Sequence, residues 1–388
     1  MSYRRHNMMA SIKEYAVTRK NNPEVMAIVY AQGWAASPKH MTFEEAAAVT
    51  DIGTAFKPIS AATRITHFDE FQYFTGVTSI GEYAFGNNTV PVLYLSSITL
   101  PPSIKTIGNF AFRQCHLGGE LRIPPSVTSI NRTAFQDVVS YDGTWNGRPT
   151  LIIDNDNVLV NYNGWIYNAK FKNIIQGEHC VRTPLYDCCF YTSDYKTLIV
   201  AIQGVLVPSI HSSCTKIGKY AFEYSDASVI SSADGLTVPS GITNIEQFAF
   251  SDANLTGELN LNNVTTLGNN AFANCKKITG HLDLRNITSL DSLVFRYVAA
   301  SSVDFGSSIS NISQAMVGDT NLKTVIFRRG SVVSAHSAMV TRLKNNNATI
   351  YVPDNLVDTY KNDTGDQYGN RNWITIANQI KPLSEYVE

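Results

Sequence analysis

Residues able to do chemistry are few in this chain, and their spacing suits little chemistry. Of the six cysteines, Cys180, Cys188 and Cys189 crowd one stretch beside His179, which raises metal binding or redox work. A structural zinc site wants two close-spaced pairs of ligands, and no second pair is present. Cys115, Cys189 and Cys275 instead fall at the small-residue position of a phrase that recurs along the chain, where a free thiol packs as a small hydrophobe. The histidines, His6, His40, His67, His116, His179, His211, His281 and His336, are scattered. None makes an H-E-x-x-H pair, and no nucleophile elbow, phosphate loop or dinucleotide fingerprint occurs. The expectation is a protein without catalytic residues, metal or cofactor.

Two other sets of residues invite a ligand. Asp283 and Asp304 occupy equivalent outward positions of successive short strands, about 4.8 Å apart if the strands are adjacent. Like charges so placed ask for a cation or a basic partner, and Asn260 one strand earlier adds an amide. The same two carboxylates are the visible candidates for glycan hydrolysis, which needs a pair about 5–10 Å apart in a cleft; on an open sheet face they point to recognition. Arg122 holds the corresponding outward position further upstream. The second set is aromatic: Tyr141, Trp145, Tyr162, Trp165 and Tyr167 gather where the recurring phrase is interrupted. They either stack on a ligand or form the small core of two hairpins, with Trp145 the more exposed inside the turn-rich "YDGTWNGRP".

The elements that would position these residues are written as a repeat. "VTSIGEYAF" at 77 returns as "IKTIGNFAF" (104), "VTSINRTAF" (127), "CTKIGKYAF" (214), "ITNIEQFAF" (242) and "VTTLGNNAF" (264). Weaker copies begin at 287, 309 and 332, and from 242 onward the starts step by 22 or 23 residues. Before most copies stands an apolar-x-apolar triplet, such as "LRIP" from Leu121, "LDL" from Leu282 or "IYVP" from Ile350, which reads as a short strand with one outward residue. Each repeat is then a strand, a second short extended piece, and a tight helical turn closing on Ala-Phe. Gly81, Gly108, Gly218 and Gly268 mark a turn expected to need backbone freedom. One unit cannot bury its own apolar side and several stacked units can, so the fold is a solenoid.

These residues resemble the BspA-like (Treponema-type) leucine-rich repeats, whose pattern is roughly I-P-x-x-V-T-x-I-G-x-x-A-F-x-x-C. "IPPSVTSINRTAF" (123–135) and "VPSGITNIEQFAF" (238–250) match closely, and "AFRQC" and "AFANC" place Cys115 and Cys275 at the cysteine position. The resemblance runs over about residues 66–353, and the two ends resemble repeat proteins of gut Bacteroidales and their phages. It implies a β-rich α+β solenoid and a surface that binds a protein or a glycan, and it carries no catalytic residues across.

The domain expectation is an N-terminal helical segment over 1–65, a solenoid over 66–352 with an insertion at about 136–205, and a C-terminal cap over 353–388. "RTPLYDCCF" at 182 reads as a worn copy of the phrase, 151–171 and 191–204 as hairpins, and 66–77 as an amphipathic helix. Residues 1–65 either cap the open end of the array or dock it to a larger body. Thr42 and Glu45 form a capping box within them. With Lys+Arg 31 against Asp+Glu 32, the net charge of −1 gives no field for nucleic acid or an anionic membrane. No apolar run suits a signal peptide or a membrane span. Two settings follow: a virion protein of a phage facing its host's surface, or a secreted or cell-surface bacterial adhesin.

Overall fold

A computed structural model describes residues 15–387 apart from 59–64, 90–91, 145, 170, 182, 187–188, 202–209, 226–230, 233–234, 262, 317, 319–320 and 367–371. The chain divides into two compact units, Met1–Val158 with Asn168–His179, and Leu159–Tyr167 with Cys180–Glu388.

The first unit begins with two short helices. Pro23–Ala31 starts at Asn22, whose Oδ1 accepts the Val25 N–H at 3.3 Å, while its amide donates to the His67 carbonyl (2.8 Å) and Glu70 Oε2 (3.1 Å). Phe43–Ala48 carries the expected capping box: Thr42 Oγ1 accepts the Glu45 N–H, and Glu45 Oε2 accepts the Thr42 N–H. Residues 66–77 do not make the single amphipathic helix expected of them. His67–Phe68 is extended and pairs in parallel with Ser97–Ile98, and only Asp69–Tyr73 is helical, as a 3-10 turn. Phe68, Phe71 and Phe74 are all fully buried, and a spacing of three suits the tighter helix, where residues i and i+3 eclipse.

From there the unit is a solenoid of parallel rungs. Ser79–Ile80, Thr106–Ile107 and Ser129–Ile130 form one ladder; Tyr94–Leu95, His116–Leu117 and Val139–Ser140 form another. The triplet strand Glu120–Ile123 pairs in parallel with Thr150–Ile153, which pairs with Asn173–Gln176. This corrects the hairpin expected over 151–171: its first strand is a rung of the triplet ladder and its parallel neighbour lies at 173–176.

In the second unit the main ladder has seven strands, running from the hairpin Leu185–Tyr186 and Cys189–Tyr191 through Thr197–Ala201 to the parallel rungs Lys216–Ile217, Asn244–Ile245, Thr266–Leu267 and Ser289–Leu290. "RTPLYDCCF" is therefore no worn repeat: Leu185 pairs antiparallel with Phe190. The triplet strands His281–Leu284, Ser302–Phe305, Thr324–Phe327, Thr349–Val352 and Ile380–Pro382 form a five-stranded parallel sheet. The unit closes on Trp373, which is buried and donates its indole N–H to the Val333 carbonyl at 3.0 Å, and on Tyr360, whose hydroxyl accepts the Val333 N–H.

Both units are filled by a column of phenylalanines, one from each Ala-Phe and the last, Phe295, from Val-Phe. Phe85, Phe112 and Phe135 stack at 5.0 and 5.2 Å; Phe222, Phe250, Phe272 and Phe295 stack at 4.9, 5.0 and 5.7 Å, all within 9° of parallel. Burying each ring is worth about 1.5–3 kcal/mol before any stacking term.

The segment around Ala-Phe is a set of tight turns, and its strain is not at the glycines. At Phe112, Phe222, Phe250, Phe272 and Phe295, non-glycine residues two before and two after the phenylalanine take left-handed φ, as in Phe110 (54°) and Gln114 (58°), Phe248 (57°) and Asp252 (58°). That conformation costs a side-chain-bearing residue about 1–2 kcal/mol. It aims successive N–H groups at the following turn: Phe248, Phe250 and Asp252 donate to Asn269, Ala271 and Ala273 at 2.8–3.0 Å. Gly218 and Gly268 serve closeness instead of φ. A Cβ there would lie 2.7 Å from the Leu198 carbonyl oxygen and 2.6 Å from the Gln247 nitrogen.

Candidate functional site

In an extended strand, residues two apart share a face, so each triplet presents alternate side chains outward. In the second unit that face carries His281 and Asp283 on one strand, Ser302 and Asp304 on the next, then Thr324 and Ile326, then Thr349 and Tyr351. Asp283 and Asp304 are register partners, as their spacing implied. Their mutual repulsion is answered within the chain. Arg285 donates from Nε (2.9 Å) and Nη2 (2.6 Å) to the two oxygens of Asp283, and Arg328 donates from Nε and Nη2 to Asp304 at 2.7–2.9 Å. Such forked pairs are among the stronger charge-assisted hydrogen bonds. The Arg285 hydrogen bonds, against a smaller desolvation penalty, hold the Asp283 carboxyl below its ordinary range.

Asp304 nevertheless corrects an expectation. It is 2% exposed, so it acts as a buried counter-charge to Arg328 and not as an open ligand-binding group. Asp283 and Asn260 remain open, and with Glu258, His281 and Asn286 they line a hollow of about 350 Å³. His281 Nδ1 is 2.8 Å from Ser302 Oγ, which fixes the ring against the neighbouring strand.

In the first unit, Arg122 stands at the same kind of outward position, in register with Ile152. Its Nη1 donates to Asp154 Oδ2 at 3.1 Å, while Oδ1 accepts the His179 backbone N–H (2.8 Å) and lies 3.1 Å from His179 Nδ1. Asp154 is 3% exposed. Burial by itself would raise its pKa, but the hydrogen bonds from His179 and Arg122 outweigh that and hold the carboxyl low.

The aromatic island divides. Trp145 lies outside the described residues. Trp165 is 1% exposed, which corrects its assignment to a ligand surface: it is core, with Tyr162 edge-on to it at 6.1 Å and 67°. Tyr162 stays half-buried and lines a separate hollow of about 220 Å³.

The thiols are structural where they are described. Cys115, Cys180, Cys189, Cys214 and Cys275 are free and buried. Cys115 and Cys275 donate to the carbonyls of Phe85 and Phe250 in the preceding turn (3.4 and 3.0 Å), and burial pushes both thiols well above their ordinary pKa. Cys188 lies outside the described residues. Among the described residues no three His, Cys, Asp or Glu side chains are placed to share a metal ion, and no helix is long and apolar enough to cross a membrane.

Sequence reasoning found the outward columns but missed Arg285, Arg328 and Asp154. The signal was the same period of two carried one residue past each triplet, in "DLR", "IFR" and "IID".

Comparison with known proteins agrees with this architecture. The sequence pattern described as BspA type leucine rich repeat region matches six copies, over residues 60–142 and 215–339. In structure the chain is similar to the pneumococcal vaccine antigen PcpA, with 16% identity, 79% of this chain and 83% of that one covered, and a TM-score of 0.50. It is equally similar to a leucine-rich repeat protein of Eubacterium ventriosum, with 16% identity, 76% and 85% covered, and a TM-score of 0.50. No curated protein sequence matches it. At such identities the likeness is one of fold.

Proposed function

Because the chain belongs to the BspA-type leucine-rich repeat family, we propose that it is a non-enzymatic recognition protein that presents its outward sheet faces to a protein or glycan at a bacterial cell surface. The family is typically non-catalytic. One observation carries the reading: the hollow bounded by Glu258, Asn260, His281, Asp283 and Asn286 lies between the strands Thr256–Asn260 and His281–Leu284. Each strand is fixed by its own parallel ladder, the first to Gly235–Thr237 and the second to Ser302–Phe305, so the side chains on them need little ordering on binding. The carboxylate pair beside it has its charges matched by arginines and is not arranged as an acid and a nucleophile across a cleft, which argues against the hydrolase reading.

Residues 15–58 serve in this reading as a cap. Phe56 stacks on Phe85 at 5.8 Å and 14°, extending the aromatic column by one ring. The virion setting gains no support from the structural relatives, which are bacterial proteins.

The test is retention on intact bacterial cells and on host-surface extracts, comparing the full chain with a Glu258→Ala, His281→Ala, Asp283→Ala triple variant. These outward side chains leave the core untouched, so the variant should fold and lose most of its retention. Equal retention by both proteins would remove this face from consideration.

A further inference from the structure

The 220 Å³ hollow of the second unit lies where the segment Leu159–Tyr167 meets the strand Thr197–Ala201 and the first repeats. Part of its lining is apolar: Leu159, Val160, Tyr162 and Ile199. Val160 is 59% exposed, an aliphatic group open to water, and Tyr162 stands beside it with its ring set edge-on against buried Trp165. The rest of the lining is polar: Thr192, Thr197, Lys219 and Glu246. Thr192 Oγ1 donates to Asp194 Oδ1 at 2.6 Å and accepts the Thr197 N–H at 3.1 Å, so its proton is committed and its remaining lone pair is an acceptor held in place. Glu246 is steadied by Lys216 at 3.3 Å.

The mixed lining selects the occupant. An apolar side chain from a protein partner would strip water from Lys219 and the threonine hydroxyls without replacing their hydrogen bonds. A bare ion would leave Val160 and Tyr162 uncovered. A pyranose ring has both surfaces in one small body, a C–H face for the valine and tyrosine and a rim of hydroxyls for the donors and acceptors of the polar lining. The hollow is smaller than the roughly 300–1,000 Å³ of drug-sized pockets, so it suits one ring. We propose that it is a subsite for a single neutral pyranose residue at the end of a glycan, with Trp165 acting behind Tyr162 as a positioning residue. The proposal rests on the recognition reading above and gives it a second ligand-bearing surface, separate from the sheet-face hollow.

Saturation-transfer NMR of the full chain with a panel of neutral methyl pyranosides tests it. At least one should receive magnetisation, and Tyr162→Ala should weaken its binding about tenfold or more, equivalent to about 1.4 kcal/mol. Because Tyr162 is half-buried, Val160→Asn supplies a second variant at an exposed position that should fold normally and weaken binding alike. Ile175→Thr, at an exposed position of the first unit, should leave pyranoside binding unchanged. No transfer to any pyranoside, or full binding in Val160→Asn, overturns the subsite. If that happens while cell-surface retention still depends on the sheet face, the recognition reading stands without it. Equal loss of binding in Ile175→Thr would show that the effect of Val160→Asn is not local to the hollow and equally overturn this assignment.

Discussion

Each unit bridges two neighbouring triplet strands with one arginine and one buried aspartate, but with opposite polarity. In the first, Arg122 sits on the earlier strand and Asp154 lies just past the later one; in the second, Asp304 sits on the earlier strand and Arg328 lies just past the later one. In both an isoleucine, Ile152 or Ile326, is the register partner of the earlier residue and is itself buried, at 6% and 0% exposure. Inside, by contrast, the units repeat one solution, a phenylalanine column with rings about 5 Å apart. The interior is constrained by stacking geometry, which admits one side chain per turn. The outer bridge is constrained only to neutrality, so the direction of its charge is free to vary with whatever the face must meet.

Three sets of substitutions bear on that contrast. The largest effect belongs to the interior: Phe112→Ala in one unit and Phe250→Ala in the other should each cost about 3–5 kcal/mol in chemical denaturation, and to a similar degree. A much smaller loss in either would mean that the two columns are not equivalent. Next comes the bridge. Asp304→Asn should cost about 2 kcal/mol by leaving Arg328 without its counter-charge. The double exchange Asp304→Arg with Arg328→Asp, which copies the polarity of the first unit, should recover at least half of that in a thermal melt. If the exchange proves as damaging as the single change, polarity is dictated by the fold after all. The smallest effect is on acid stability. The folded carboxyl of Asp154 is held low, so its contribution is complete above the ordinary aspartate pKa of about 3.9 and fades as pH falls through the folded value. Melting temperature should therefore drop on acidification below about pH 4, and Asp154→Asn should flatten that slope. An unchanged slope would show that the bridge adds nothing in that range.

Much of the fold was legible because a solenoid repeats its constraints. Ala-Phe names the column, and the apolar-x-apolar triplet names the strand and its outward residue. The insertion was misread because "LIID" and "NIIQ" lack the phrase that follows other triplets, yet they pair as triplets do. Burial of Trp165 and Asp304 was illegible for another reason: Trp165 lies outside the repeat phrase, and Asp304 is closed off with Arg328, which stands one residue past the next triplet. The left-handed residues were hidden because tyrosine, phenylalanine and leucine occupy them at Tyr220, Phe248 and Leu293, types that ordinarily avoid that conformation. Their cost is met by hydrogen bonds to the next turn, which no local reading contains.

Those hydrogen bonds all run one way. From Tyr220 through Phe295, the turn N–H groups donate forward to the carbonyls of the following turn, ending with Phe295 to Ala315 at 2.8 Å. The short strands of the same turns donate the other way, as in Gly268 to the Ile245 carbonyl and Asp291 to that of Leu267, so each joint needs both segments of both turns. The array can therefore gain or lose length in whole repeats without disturbing the joints, whereas a partial repeat leaves one of the two sets of amides and carbonyls without partners. Reach toward a partner is thus a quantity that gene duplication can adjust in fixed steps.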